Sequence, residues 1–126
     1  MPGKKRRILV VDDEPSIQNV ISRYLSIKGH EVVCCGDAES ALARIPAEAF
    51  DAVILDNSLP GMMGITALPL ILKLTQAPVV MITGHPGEEA HRDALILGAK
   101  AFMVKPLDLE ELAAKLAAYF KAANTL

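Results

Sequence analysis

Phe50 to Gly64 reads FDAVILDNSLPGMMG, and this stretch decides the fold. Ala52 to Leu55 is an unbroken apolar run that stops on Asp56, and the Leu59-Pro60-Gly61 beyond it fits only a loop. A short continuous apolar run bounded by turn residues reads as a strand covered on both faces. Such a strand delivers one carboxylate to a sheet edge. In an open parallel sheet, ligands bind outside the carboxyl ends of the strands, so Asp56 is the first candidate functional residue.

The same pattern recurs on either side. Ile8 to Val11 is aliphatic and ends on Asp12-Asp13, and Glu14-Pro15 then signals a helix start. Ile17, Val20, Ile21, Tyr24 and Leu25 recur at helical spacing up to a stop at Gly29. Val32 to Cys35 is a second strand, and Gly36-Asp37 opens a short helix that Pro46 is expected to close. Beyond the Asp56 strand, residues 65–74 are helical in period, with Pro69 expected to shorten or kink the first turns. Residues 78–82 form a fourth strand ending at Thr83-Gly84, and residues 88–97 a helix stopped by Gly98. Ala101 to Val104 is a fifth strand ending at Lys105-Pro106, and Asp108 caps a last helix reaching about Ala123. Five buried strands alternating with five helices call for an α/β, doubly wound (flavodoxin-like) parallel sheet in the order 2-1-3-4-5.

Composition narrows the function. The 126 residues are expected to form one domain, and 52% hydrophobic content supplies its core with only 4% aromatics. Thirteen Lys and Arg against fifteen Asp and Glu, a net charge of -2, offer no general surface for nucleic acid. The basic cluster from Lys4 to Arg7 reads as a solvated lead-in to the first strand. Adjacent Cys34 and Cys35 on a strand point to opposite faces and suit free thiols in a reducing compartment. No run reaches membrane-span length and the charged start lacks a signal-peptide core, so a cytoplasmic protein without membrane contact is expected.

The strand order gathers Asp12, Asp13, Asp56, Thr83 and Lys105 at one sheet edge. Clustered carboxylates stay ionised together only if a cation compensates them, and all-oxygen ligands favour a hard ion such as Mg²⁺. Such an ion keeps waters and phosphate oxygens. Lys105 adds a fixed positive charge and Thr83 a hydroxyl donor, which completes the parts for stabilising a phosphoryl group in transfer to Asp56 as nucleophile. Singly, these residues have ordinary explanations as a helix cap, turn hydroxyl or surface charge. Their joint placement at the ends of strands one, three, four and five does not.

The segments VVDDE, ILDNSLPGMMG, VVMITGH and AFMVKP resemble, in order and over nearly the whole chain, the receiver domain of bacterial two-component response regulators. The resemblance implies a phosphoacceptor module rather than a classical enzyme. Asp12 and Asp13 would hold Mg²⁺ with Asp56 and the backbone carbonyl of Ser58, and Asp56 would accept a phosphoryl group from a sensor histidine kinase or a phosphotransfer protein. Thr83 and Lys105 match the residues that contact that group. Phe102 matches an aromatic whose rotation, coupled to Thr83, reports phosphorylation. The Lys105-Pro106 peptide is expected to be cis, and His85 and Ser58 match positions flanking the path of the hydrolytic water. The implied partners include an effector domain or protein, and the face of the fourth helix, fifth strand and fifth helix, whose outer surface is short of charge, is expected to bind an effector or a second copy as a homodimer. On that face Ala94 and Leu95 are expected to point inward and Ile96 outward, with Ala114, Ala118 and Tyr119 off the core. Direct nucleic-acid binding by this domain is not expected.

Departures from the family pattern are Leu59, Met63 and Pro69, which touch the loop and third helix, and Lys100-Ala101, where one transcription-factor subclass carries dimer-forming acids. A flavodoxin-like redox domain would want a Ser, Thr and Gly-rich loop after strand one, and an aspartyl-phosphate phosphatase an acid in place of Ser58. The remaining alternative is a receiver-like interaction module that works without phosphorylation, against which the intact Asp56, Thr83 and Lys105 speak.

Overall fold

In the computed structural model, residues 5–84 and 88–123 are described, with the backbone alone for 88–91. Five parallel strands, β1 (Arg7–Val11), β2 (Glu31–Cys35), β3 (Ala52–Asp56), β4 (Val79–Thr83) and β5 (Ala101–Val104), lie in the order β2-β1-β3-β4-β5. They alternate with α1 (Pro15–Ile27), α2 (Ala38–Ala47), α3 (Gly64–Leu74), α4 (Glu88–Ile96) and α5 (Leu109–Ala123). The expected class, strand order and helix count all hold. No helix among the described residues is long and apolar enough to cross a membrane.

Because successive strand side chains point to opposite faces, the aliphatic runs feed two cores at once. Leu9, Val11, Val53, Leu55, Val79 and Met81 pack on one face with α2, α3 and α4, whereas Ile8, Val10, Ile54, Val80 and Ile82 pack on the other with α1 and α5. Leu112, Leu116 and Phe120 close the second layer, as their spacing implies. Cys34 and Cys35 divide between the faces, and both are free thiols. Burial raises the pKa of each, that of Cys35 to about 11.

Local signals place the helix ends. Asp37 caps α2 by accepting from the Ser40 N–H at 2.7 Å, and Asp108 caps α5 by accepting from the Glu111 N–H at 3.0 Å. Gly29 adopts φ +95° to end α1, a conformation that a side chain would strain. The two proline expectations divide: α2 does close one residue after Pro46, whereas Pro69 does not shorten α3. Pro46 lies within the last turn of α2, and α3 runs through Pro69. In α3, buried Ala67, Leu68 and Ile71 anchor the helix, and Asn57 accepts the Ile65 N–H at 2.9 Å, so early-turn bonding does not depend on the proline.

Helical period also misjudges stripe edges. Val20, at the margin of the α1 stripe, is 51% exposed, and Leu95 follows Ile96 outward while Ala94 alone of the three is buried. Tyr119 corrects an expectation in the other sense, being half-buried against the second core layer. The basic lead-in is not simply solvated. Arg6 is buried, with its guanidinium 5.1 Å from the Phe120 ring centre, and Arg7 pairs with Glu31 at 2.9 Å and Glu48 at 2.8 Å. An N-terminal pair of arginines thus ties β1 to β2, α2 and α5.

Candidate functional site

Parallel register brings four strand ends level. Val11 pairs with Leu55, so Asp12 and Asp56 follow side by side; Asp56 pairs with Ile82, one residue before Thr83; Thr83 pairs with Val104, one residue before Lys105. Backbone bonds hold these ends, with the Asp12 N–H donating to the Cys35 carbonyl, the Asn57 N–H to Ile82 and the Lys105 N–H to Thr83. Asp12, Asp56 and Thr83 are buried, and Asp13 is exposed at the rim.

One carboxylate oxygen from each of Asp12, Asp13 and Asp56 lies within 4.8 Å of the others. The Lys105 Nζ sits among acids, 2.9 Å from Asp12 Oδ2, 3.0 Å from Glu14 Oε1 and 3.3 Å from Asp56 Oδ2. Burial raises the pKa of Asp56 above its ordinary value and the charge of Asp12 adds to this, while Lys105 and the Ser58 N–H oppose it. Burial works to lower that of Lys105, but the Asp12 and Glu14 carboxylates and the charge of Asp56 outweigh it and hold the ammonium above its usual range.

Asp12 is divided between two tasks. Its Oδ1 accepts from the Glu14 N–H at 2.8 Å, and its buried Oδ2 pairs with the Lys105 ammonium at 2.9 Å. Three carboxylates gathered this closely repel one another, and a hard cation would compensate them. With oxygen donors from three acids and, among the described residues, no His or Cys in the cluster, the residues fit Mg²⁺.

The loop after β3 is tightly drawn. Ser58, itself exposed, donates its N–H to Asp56 Oδ1 at 3.3 Å, and the Gly64 N–H donates to the Asn57 carbonyl at 2.9 Å. A Cβ on Gly64 would collide with the Asp56 carbonyl oxygen and lie 2.8 Å from Asn57 Cα. Only glycine permits this approach.

Phe102 is half-buried on β5 and faces Met81 in register, so it shares with Met81 and Thr83 one face of the sheet. The Lys105-Pro106 peptide is cis. His85 lies outside the described residues. Thus Asp12, Asp13, Asp56 and Lys105 converge, with Thr83 beside them, Ser58 on the adjoining loop and Phe102 two positions back along the sheet.

Three contributors escaped sequence reading. Glu14, read only as a helix-start acid, reaches Lys105, Gln18 one turn on donates its Nε2 to the Asp12 carbonyl at 2.5 Å, and Asn57 tethers the start of α3. Their signal was proximity alone: two lie within six residues of Asp12 and one is next to Asp56.

Residues 8–117 match the family model described as the response regulator receiver domain. A protein of Guillardia theta named "Probable transcriptional regulator ycf27" is 37% identical over 121 residues, covering 95% of this chain and 47% of that protein. The chain spans about half the length of the curated relatives of that name. Among solved structures, a two-component response regulator from Clostridium difficile superposes with a TM-score of 0.92 at 27% identity, covering 95% of this chain and 99% of that one. A CheY-like receiver domain protein from Methanospirillum hungatei JF-1 gives 0.86 at 31% identity, covering 94% and 99%.

Proposed function

The chain belongs to the response regulator receiver domain family of two-component systems, and from that membership we propose that Asp56 is its phosphoacceptor. The observation carrying this reading is the buried Asp56 carboxylate on a strand end, within 3.3 Å of the Lys105 ammonium and clustered with Asp12 and Asp13. The donor is the phosphohistidine of a sensor histidine kinase or a phosphotransfer protein. An Asp56 carboxylate oxygen forms a bond to phosphorus as the donor's bond to phosphorus breaks, which leaves an acyl phosphate and returns the imidazole, with a proton, to the donor.

Lys105 supplies a cation and the Thr83 hydroxyl a donor to the phosphoryl oxygens. Asp12, Asp13 and Asp56, with the Ser58 backbone carbonyl, are the groups that would hold Mg²⁺, which when bound neutralises charge on the phosphoryl oxygens. Thr83 and Phe102 share one sheet face, the arrangement that lets occupancy at Asp56 bias the ring of Phe102. The output surface is that of α4, β5 and α5, where Leu95, Ile96, Leu97 and Val104 are exposed apolar residues. It docks an effector or a second copy. A module that works without phosphorylation would leave the converged acids and Lys105 without a task.

Mass spectrometry after treatment with Mg²⁺ and acetyl phosphate tests the reading. The chain should gain one phosphoryl group, and Asp56→Asn or EDTA should abolish the gain. Equal labelling of the mutant, or labelling indifferent to EDTA, refutes it.

A further inference from the structure

The Lys105 ammonium carries three N–H donors, and three carboxylates contend for them: Asp12, Asp56 and Glu14. A phosphoryl oxygen arriving at Asp56 competes for Lys105 with the carboxylates that already hold it. Asp56 is the group that is modified, and Asp12 is buried at a strand end. Glu14 is different, because its side chain is 56% exposed and its carboxylate loses little by returning to solvent. It also stands outside the cluster of acids that fits a metal.

Glu14 is placed for this contact by its backbone. Its N–H donates to Asp12 Oδ1 at 2.8 Å, and its carbonyl accepts from the Ile17 and Gln18 N–H groups at 3.1 Å each. It occupies the N-cap of α1, yet its side chain makes no capping bond to its own helix and instead crosses to a residue 91 positions away. Asp, Asn, Ser and Thr cap helices well, so a capping role does not explain a glutamate here.

We propose that Glu14 is a positioning residue, a displaceable latch that holds Lys105 while Asp56 is unmodified and competes with the phosphoryl group for it. The inference rests on the phosphoacceptor reading above. An exposed ion pair of this kind corresponds to roughly a two- to fivefold change in an equilibrium constant. The latch therefore sets the ease of activation rather than its possibility.

The test is the equilibrium affinity for beryllofluoride, an anionic phosphoryl mimic, in the presence of Mg²⁺, for the wild-type chain, Glu14→Gln and Glu14→Asp. Both substitutions are at an exposed position and break the contact, the first by removing charge and the second by shortening the side chain. The expected result is tighter binding by both, by roughly two- to fivefold for Glu14→Gln. A gain by Glu14→Gln alone, lost in high salt, would mean simple repulsion at the mouth and overturn the latch. Unchanged affinity in both variants overturns it as well, with the phosphoacceptor reading left standing. A wild-type chain that takes up no beryllofluoride overturns the phosphoacceptor reading, and the latch falls with it.

Discussion

Removing the charge of Asp56 should make the cation-free protein more stable. Within the 4.8 Å limit of the cluster, and at an effective dielectric of about 20, Asp12 and Asp56 repel by roughly 3.5 kcal/mol or more. Asp13 is exposed, so its repulsion is screened to about a third of that. Lys105 at 3.3 Å returns about 5 kcal/mol of attraction, which nearly cancels the two. Desolvation then decides the sign. It is the largest influence on Asp56 and raises its pKa above 3.8, so the ionised form opposes folding at neutral pH. An asparagine carries no charge and keeps one acceptor oxygen, for the Ser58 N–H or for Lys105 but not for both. We expect Asp56→Asn to gain on the order of 1–2 kcal/mol in EDTA, a rise in Tm of roughly 3–8 °C. Because the folded pKa is raised, stability from protonating wild-type Asp56 is present at low pH and lost as pH rises through that value. The gap should therefore narrow toward pH ~4. Adding Mg²⁺ should stabilise the wild type more than the mutant, since ligand binding adds RT ln(1 + [L]/Kd) to the state that binds. Thermal unfolding by circular dichroism measures all three. A mutant less stable than wild type in EDTA, or equal Mg²⁺ stabilisation of both, would refute the account of a buried, undercompensated carboxylate.

Gly64→Ala should cost roughly 1–3 kcal/mol, read as a lower urea midpoint, because its Cβ has no room beside the Asp56 carbonyl; an unchanged midpoint would show the loop is free to shift. His30 packs edge-on against Phe120 at 5.5 Å with its Nδ1 buried and unbonded, and burial, then Arg6, lowers its pKa against the opposing charge of Asp51. Its contribution is fully present above pH ~6.5 and lost as pH falls through the lower folded value, so between pH 7.5 and 5.5 the wild type should lose more Tm than His30→Gln. Parallel losses would exclude His30 as the cause. At the proposed output face, Ile96→Asp and Tyr119→Ala should weaken association, measured by light scattering or pull-down with and without phosphodonor, while leaving labelling intact. Unchanged association in both would turn attention to α1, where Val20 and Ile27 are exposed.

Strand ends were legible in the sequence because an aliphatic run and the polar residue that stops it are adjacent in the chain. Ile8–Val11 before Asp12 and Ala52–Leu55 before Asp56 each report a fully buried strand and the polar residue at its end, and Ala101–Val104 before Lys105 reports the strand although Val104 is exposed. Right-handed parallel crossovers then leave few strand orders, which is why convergence of the acids with Lys105 could be anticipated. The opposed faces of Cys34 and Cys35 follow equally from strand period two. Period locates a stripe on a helix but says nothing of how wide a neighbour covers it. Val20 and Leu95 therefore lie outside the core and Tyr119 partly within it. A proline signal acts locally, yet buried neighbours in α3 outweigh Pro69. Only the tertiary structure could decide that Arg6 is buried against Phe120 and that Glu14 reaches Lys105. Those partners lie far apart in sequence, and a pairing between them exists only once the sheet sets their distance.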